Sequence, residues 1–233
     1  PVVMDTRFNS SVTDIFRNEY LSPRSPYTTL QIPKQGIGEW CHPLHTVDIN
    51  DAGLRSSVQN GILNTELGIP FRTPAEGHNV AFTSLWGNYP DSLEIPLKGK
   101  ASRAYLLMAG STNHMQCHID NGVIRIYYKD GTRDVMFLRN PDNWPPIEHI
   151  FFEDGLAFNR HTPALYRLRL KTGEISNNFG EELGFPGASR ELDGGAAVLL
   201  EMPLNPGKKL SHLVLETLSN DVVIGLMSIT LQR

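Results

Sequence analysis

Alternation of apolar and polar positions is sharpest in mid-chain. Val123-Ile124-Arg125-Ile126-Tyr127-Tyr128 and the run from Arg133 to Leu138 flank Lys129-Asp130-Gly131-Thr132. β-Branched and aromatic residues suit a pleated, half-buried surface, and Asp-Gly between two such runs marks a hairpin because Gly accepts positive φ. The expectation is two strands joined by a tight turn of primed type. Further strands are expected at Val47-Asp48-Ile49, Ile69 to Arg72, Asn79 to Leu85, Ser92 to Leu97, Arg103 to Ala109, Tyr166 to Leu170 and Gly194 to Pro203, with Gly, Pro, Asn and Asp between them. In Tyr166 to Leu170, alternation places Leu168 and Leu170 opposite Arg167 and Arg169.

The chain closes on two more strands. From His212 to Leu218, Leu213 and Leu215 alternate with His212 and Glu216, the pattern of a strand with one wet face. Val222-Val223-Ile224-Gly225-Leu226-Met227 hardly alternates, so both its faces are expected to be covered and the strand to be central. No long amphipathic helix separates these runs. The fold class expected is all-β, an antiparallel β-sandwich of jelly-roll type, rather than βαβ units.

Residues 1–45 read differently. The segment over 11–20 predicts one short helix, after which Pro23, Pro26 and Pro33 hold the chain extended. Such a strap lies on a surface, either the sandwich itself or a preceding domain. The division expected is therefore an N-terminal extension over 1–45 and a β-sandwich domain over 46–233. The chain starts at Pro1 without an initiator Met, and the expectation is a processed or excised piece of a longer protein.

Composition narrows the partners. At 233 residues and 40% apolar content the chain can bury a sizeable core, and its 20 Gly and 16 Pro match a fold of many strands and turns. A formal charge of -4 with no Lys/Arg run offers no footprint for a phosphate backbone or an anionic membrane, so nucleic acid is excluded as an expected partner. No apolar stretch reaches the roughly 20 residues of a membrane span, and membrane insertion is not expected. Cys41 and Cys117 are the two cysteines, and the sequence leaves open whether they pair.

Several segments in order carry a resemblance: Gly68-Ile69-Pro70-Phe71-Arg72, Leu93 to Pro96, Ala104 to Ala109, Tyr127-Tyr128-Lys129-Asp130-Gly131 and Trp144, closed by Leu213 to Met227. Over roughly residues 46 to 231 the chain resembles galactose-binding-like jelly rolls that accompany glycoside hydrolases. It is similar to the C-terminal region of large exported glycosidase-like proteins of polysaccharide-degrading gut Bacteroides. The resemblance implies an exported protein, periplasmic or at the cell surface. It also implies a preceding catalytic domain in the same longer chain, and a non-catalytic accessory role that either binds glycan or braces that neighbour. Calcium is common in related sandwiches and would be held by backbone carbonyls plus one Asp; no other cofactor is implied.

Sugar recognition needs aromatic planes for the apolar faces of pyranose rings and planar amides or carboxylates for their hydroxyls. Trp86 has Asn88 and Asp91 close by in sequence, and Trp144 has Asn140, Asp142 and Asn143. With His114 and His118, from a loop between two expected strands, these are the candidate ligand-binding residues. The competing role for each Trp is core packing, since Trp is highly buried on average. Cys41-His42-x-x-His45 and His114-x-x-Cys117-His118 contain zinc-ligand residue types. Neither has the paired two-residue Cys spacing of a structural zinc module, so no metal site is assigned. Glu39, Asp91, Asp142, Glu148 and Glu153 are available carboxylates for glycoside hydrolysis, but spacing alone pairs none of them, and no catalytic residue is assigned. The alternative function is a glycoside hydrolase or lyase with its centre in the sandwich itself. No G-x-S-x-G, G-x-x-x-x-G-K-[ST] or H-E-x-x-H motif is present.

Overall fold

The computed structural model describes residues 1–21, 47–113, 116–150, 160–179 and 191–233. The expected strap over Ser22 to Pro33, and Glu39, Trp40, Cys41, His42, His45, His114 and Glu153, lie outside the described residues. Among the described residues a one-turn helix, α1 (Ala52–Ser56), precedes thirteen strands. These are β1 (Val58–Gln59), β2 (Ile62–Asn64), β3 (Pro70–Arg72), β4 (Ala81–Thr83), β5 (Ser92–Pro96), β6 (Arg103–Thr112), β7 (Asp120–Tyr128), β8 (Arg133–Arg139), β9 (Arg167–Arg169), β10 (Ile175–Ser176), β11 (Ala196–Pro203), β12 (Leu210–Thr217) and β13 (Val222–Gln232). Among the described residues no helix is long and apolar enough to cross a membrane.

The strands make three antiparallel sheets, β1-β2-β3, β10-β9-β11-β6-β13-β4 and β5-β12-β7-β8. The two larger ones face each other as an all-β sandwich. Ala104, Leu106 and Met108 from β6, Val198, Leu200 and Met202 from β11, and Ile224, Leu226 and Ile229 from β13 meet Ile124 and Ile126 from β7 and Leu213 and Leu215 from β12. Because side chains alternate along a strand, the intervening residues of the six-stranded sheet point the other way. There Leu107, Ala109, Leu199 and Val223 join a second core with Leu63, Phe71 and Leu54. Val12, Ile15, Phe16 and Tyr20 from the N-terminal segment complete it. The six-stranded sheet is therefore covered on both faces, and the molecule has three layers.

This explains the unbroken apolar run from Val222 to Met227. β13 lies between β6 and β4, with a register shift between Leu226 and Ser228 that redirects the alternation, so Met227 joins the second core. β12 has the wet face expected of it, with Leu213 and Leu215 fully buried and Val214 and Glu216 half-buried opposite.

Several local expectations are corrected. The mid-chain hairpin forms, with Tyr127 opposite Arg133, but its turn is not primed. Gly131 alone takes positive φ (+83°), and its N–H donates to Tyr128 O at 3.1 Å while Tyr128 N–H donates to Thr132 O at 2.9 Å. That is the three-residue loop with a left-handed glycine bulge. Val47–Ile49 makes no strand: Ile49 forms one isolated parallel bridge with Gly194. The segment over 11–20 holds only a 3-10 turn at Val12–Asp14, whose residues are packed rather than wound because Val12 and Ile15 are both drawn into the second core. Leu168 and Leu170 do share the second core, and Arg167 opposite them is itself buried, 7% exposed, its guanidinium donating to the carbonyls of His149 (2.7 Å), Pro146 (2.6 Å) and Ala196 (3.0 Å).

Candidate functional site

Strand registers put four connections at one end of the sandwich. β4 leads into β5 through Trp86, β6 into β7 through His118, β8 into β9 through Asp142 and β12 into β13 through Asn220. Pairings of Thr217 with Gly122, Val222 with Thr112, and Asp120 with Arg139 fix this shared end. Loops here rest on strands paired in the two larger sheets, the arrangement that lets irregular segments hold side chains in place.

The β6–β7 and β8–β9 connections meet. Asn140 O accepts the His118 N–H at 2.7 Å, and Asn140 Nδ2 faces Cys117 Sγ at 3.4 Å. His118 sits at φ +57°, a left-handed conformation that a β-carbon makes costly and that surrounding contacts must hold. Asp142 then reaches the segment entering β9. Its Oδ1 accepts the His161 N–H at 2.7 Å, and its backbone carbonyl accepts Thr162 Oγ1 at 2.6 Å. Three side chains converge as a result: His118 Nδ1 lies 3.7 Å from Asp142 Oδ2, and His161 Nδ1 lies 3.6 Å from Asp142 Oδ1. The two imidazoles lie 4.6 Å apart between centroids, tilted by 36°.

Asn143 and Trp144 belong to the scaffold of this loop. Asn143 Oδ1 accepts the Arg139 N–H at 2.8 Å and its Nδ2 donates to Phe137 O at 2.8 Å, closing the turn after β8. Trp144 is fully buried in the inter-sheet core. Gly110 makes room for it: a β-carbon at Gly110 would stand 2.7 Å from Trp144 Cζ2 and 2.1 Å from Val223 O. Trp86 is 8% exposed and packs in the second core, where it meets the covered face of the six-stranded sheet. Neither indole offers a face to a solvent-borne ring. Asn88 donates to Glu19 O at 3.0 Å, and the Asp91 carbonyl accepts the Thr217 N–H at 2.9 Å. Of the candidate residues, the structure thus joins His118, Asn140, Asp142 and Asn143 in one place. It adds His161, which sequence reading missed because a lone His between Arg160 and Thr162 carries no local pattern.

A second polar surface was also missed. The outer face of the four-stranded sheet carries Arg133, Val135 and Phe137 from β8, Arg125 and Tyr127 from β7, and His212, Val214 and Glu216 from β12, aligned by register. Phe137 and Val135 remain 43% and 42% exposed. Tyr127 and His212 stack at 4.7 Å and 13°, Arg125 pairs with Glu216, and the Arg139 guanidinium lies 5.8 Å above the Phe137 ring. The alternation in β7, β8 and β12 is the signal that could have found this face.

Below the loop end, Glu148 is fully buried. Burial pushes its carboxyl up to about 8 despite the hydrogen bond from Ser111 Oγ (3.0 Å) and the Arg167 charge, with Glu191 adding to the rise. Burial also lowers Arg167 to about 10, with the Glu148 charge opposing. The three carbonyls on its guanidinium favour the cationic form of Arg167, while burial favours the protonated form of Glu148. With no exposed surface, Glu148 reaches no substrate.

The fold and these groups define an all-β sandwich with a His/Asp loop cluster and an open, mixed aromatic and charged sheet face. No protein-family model, curated protein or solved structure matches the chain.

Proposed function

We propose that this chain is a non-catalytic accessory module of a larger exported, carbohydrate-active protein, and that it takes glycan on the outer face of its four-stranded sheet. The observation that carries the reading is the exposed Phe137 ring on the same sheet face as the Arg125–Glu216 pair. A flat apolar plane next to planar, charged hydrogen-bonding groups is what a sugar needs, with its C–H face and its ring of hydroxyls. Arg125 and Glu216 stand on the two inner strands of this sheet and Phe137 on its edge strand, paired along its length with β7, so the backbone that carries these groups is already ordered before binding.

The hydrolase alternative finds less support. Glu148 is shut away from solvent, and among the described residues Asp142 is flanked by two imidazoles rather than paired with a second carboxylate for glycoside hydrolysis. A screen of this chain against plant and host glycans tests the reading. Saturable binding is expected, lost in Phe137→Ala and weakened in Arg125→Ala, with both variants folded because both positions face outward. Trp144→Ala is expected to lose stability instead. Absence of binding to every glycan, or binding untouched by Phe137→Ala, would overturn the sheet face as the site.

A further inference from the structure

We propose that His118, Asp142 and His161 form a binding site for a divalent transition-metal ion of the zinc class, joining the β6–β7 connection to the segment that enters β9. One ligand atom from each of the three lies within 4.8 Å of the others. The separations of 3.6 and 3.7 Å from each Nδ1 to the carboxylate are too long for hydrogen bonds. A tetrahedral ion with metal–ligand bonds of roughly 2.05 Å holds its ligand atoms about 3.3 Å apart, so the three side chains, now within 4.8 Å of one another, close on one ion by rotating inward.

The state of His118 points the same way. Both of its ring nitrogens are shielded from solvent, and neither has a hydrogen-bond partner among the described residues. A buried polar atom without a partner costs free energy that a metal bond would recover. The backbone of His118 is also held in its left-handed conformation by the bond to Asn140 O, so its ring is aimed before any ion arrives. Asp142 is anchored likewise by the His161 N–H and by Thr162 Oγ1. The neighbouring Arg160 directs its Nε to Thr162 O at 2.9 Å.

The ligand chemistry selects the ion class. Two imidazoles and one carboxylate suit zinc and its first-row neighbours, whereas calcium and magnesium prefer oxygen-only sets. Three protein ligands leave a position for water or for an oxygen of an incoming ligand, and the His161 side chain is 64% exposed, so that position faces solvent.

The test titrates chelator-stripped protein with Zn²⁺ against a chromophoric chelator, and with Co²⁺ while visible absorption is followed. One equivalent per chain is expected, with the intense bands of low-coordinate Co²⁺ and a higher unfolding temperature in the presence of Zn²⁺. His161→Ala, at an exposed position, and Asp142→Asn, which keeps the acceptor for the His161 N–H, should each weaken binding by more than about 100-fold, beyond the 10–100-fold that loss of an outer-shell partner costs. His212→Ala, on the sheet face, should leave it unchanged. Sub-stoichiometric or absent binding at micromolar Zn²⁺ would overturn the proposal. So would stoichiometric binding that survives His161→Ala and Asp142→Asn, since the ion would then be held by other histidines of the chain.

Discussion

A chain cut back by its last ten residues, 224–233, is expected not to fold. The segment is most of β13, the strand between β6 and β4 in the doubly covered sheet. Ile224, Leu226 and Ile229 fill the inter-sheet core and Met227 fills the second core, all at 1% exposure or less. Losing a buried aliphatic or Met side chain costs about 2–5 kcal/mol, and four such losses together match or exceed the roughly 5–15 kcal/mol that holds a typical domain. The backbone adds to this. β6 would lose its longest partner, from Gly110 down to Arg103, and buried ladder groups would be left without bonds. The third layer would loosen as well, because Ser228 Oγ donates to Arg72 O at 2.9 Å, Thr230 Oγ1 donates to Pro70 O, and Ile229 O accepts the Val2 N–H at 2.8 Å. Far-UV circular dichroism with urea titration checks the outcome: the truncated chain should show no cooperative transition. A sharp transition retained in the truncated chain would mean that the two cores do not depend on β13.

The elements that sequence alone made legible are those whose burial is set by the strand itself. β7, β8 and β12 alternate because one face meets the core and the other meets water, and β13 fails to alternate because both faces are covered. What stayed hidden depends on what lies across from a segment. Arg167 alternates with Leu168 as an exposed residue would, yet the chain around Pro146 and His149 folds over it and supplies carbonyls in place of water. The two Trp candidates sit in turn-rich stretches, but these turns close over the sandwich and tuck the indoles beneath them. Ring size drew attention to Trp86 and Trp144, whereas position on a wet face identifies Phe137 and Tyr127. The β1–β2 hairpin was missed although Asn60-Gly61, at φ +52° and +75°, is a strong turn signal; its strands are two and three residues long and carry Gln59 and Asn64, too short to register as alternation. The metal-binding trio combines three segments distant in sequence. Among the described residues, His118 is the member of the sequence-noted zinc-ligand types that enters it, joined by two residues from a single connection 24 and 43 positions further on.

The stability of the fold is expected to fall as pH rises from about 4.5 to about 8, and Glu148→Gln is expected to abolish that fall. In the unfolded chain Glu148 titrates near 4.5, whereas burial in the folded protein moves it to about 8. Below 4.5 both states carry the proton and its contribution is complete. Between the two values the unfolded chain releases the proton while the folded one keeps it, so the folded state binds more protons and rising pH favours unfolding. Above 8 both states are ionised and the difference stays constant. The slope cannot exceed about 1.4 kcal/mol per pH unit, and over the whole window it sums to at most about 5 kcal/mol. Asp5 and Asp130 act in the opposite sense and at lower pH. Hydrogen bonds from Arg72, and from Thr132 and Lys208, hold these carboxyls below their usual range, so their contribution is lost only as acid protonates them. Comparing variant with wild type cancels them. Gln keeps an oxygen for the Ser111 hydroxyl, and Arg167 retains its three carbonyls, so the substitution removes the titration and little else. Urea unfolding at intervals from pH 4.5 to 8.5 should give similar stabilities at the acid end and a Gln variant more stable by a few kcal/mol at the alkaline end. Parallel curves would mean that Glu148 is ionised throughout, held as a charged partner of Arg167. Glu148 would then be a buried charge compensated by the nearby Arg167 charge, and its removal by Gln would destabilise at every pH.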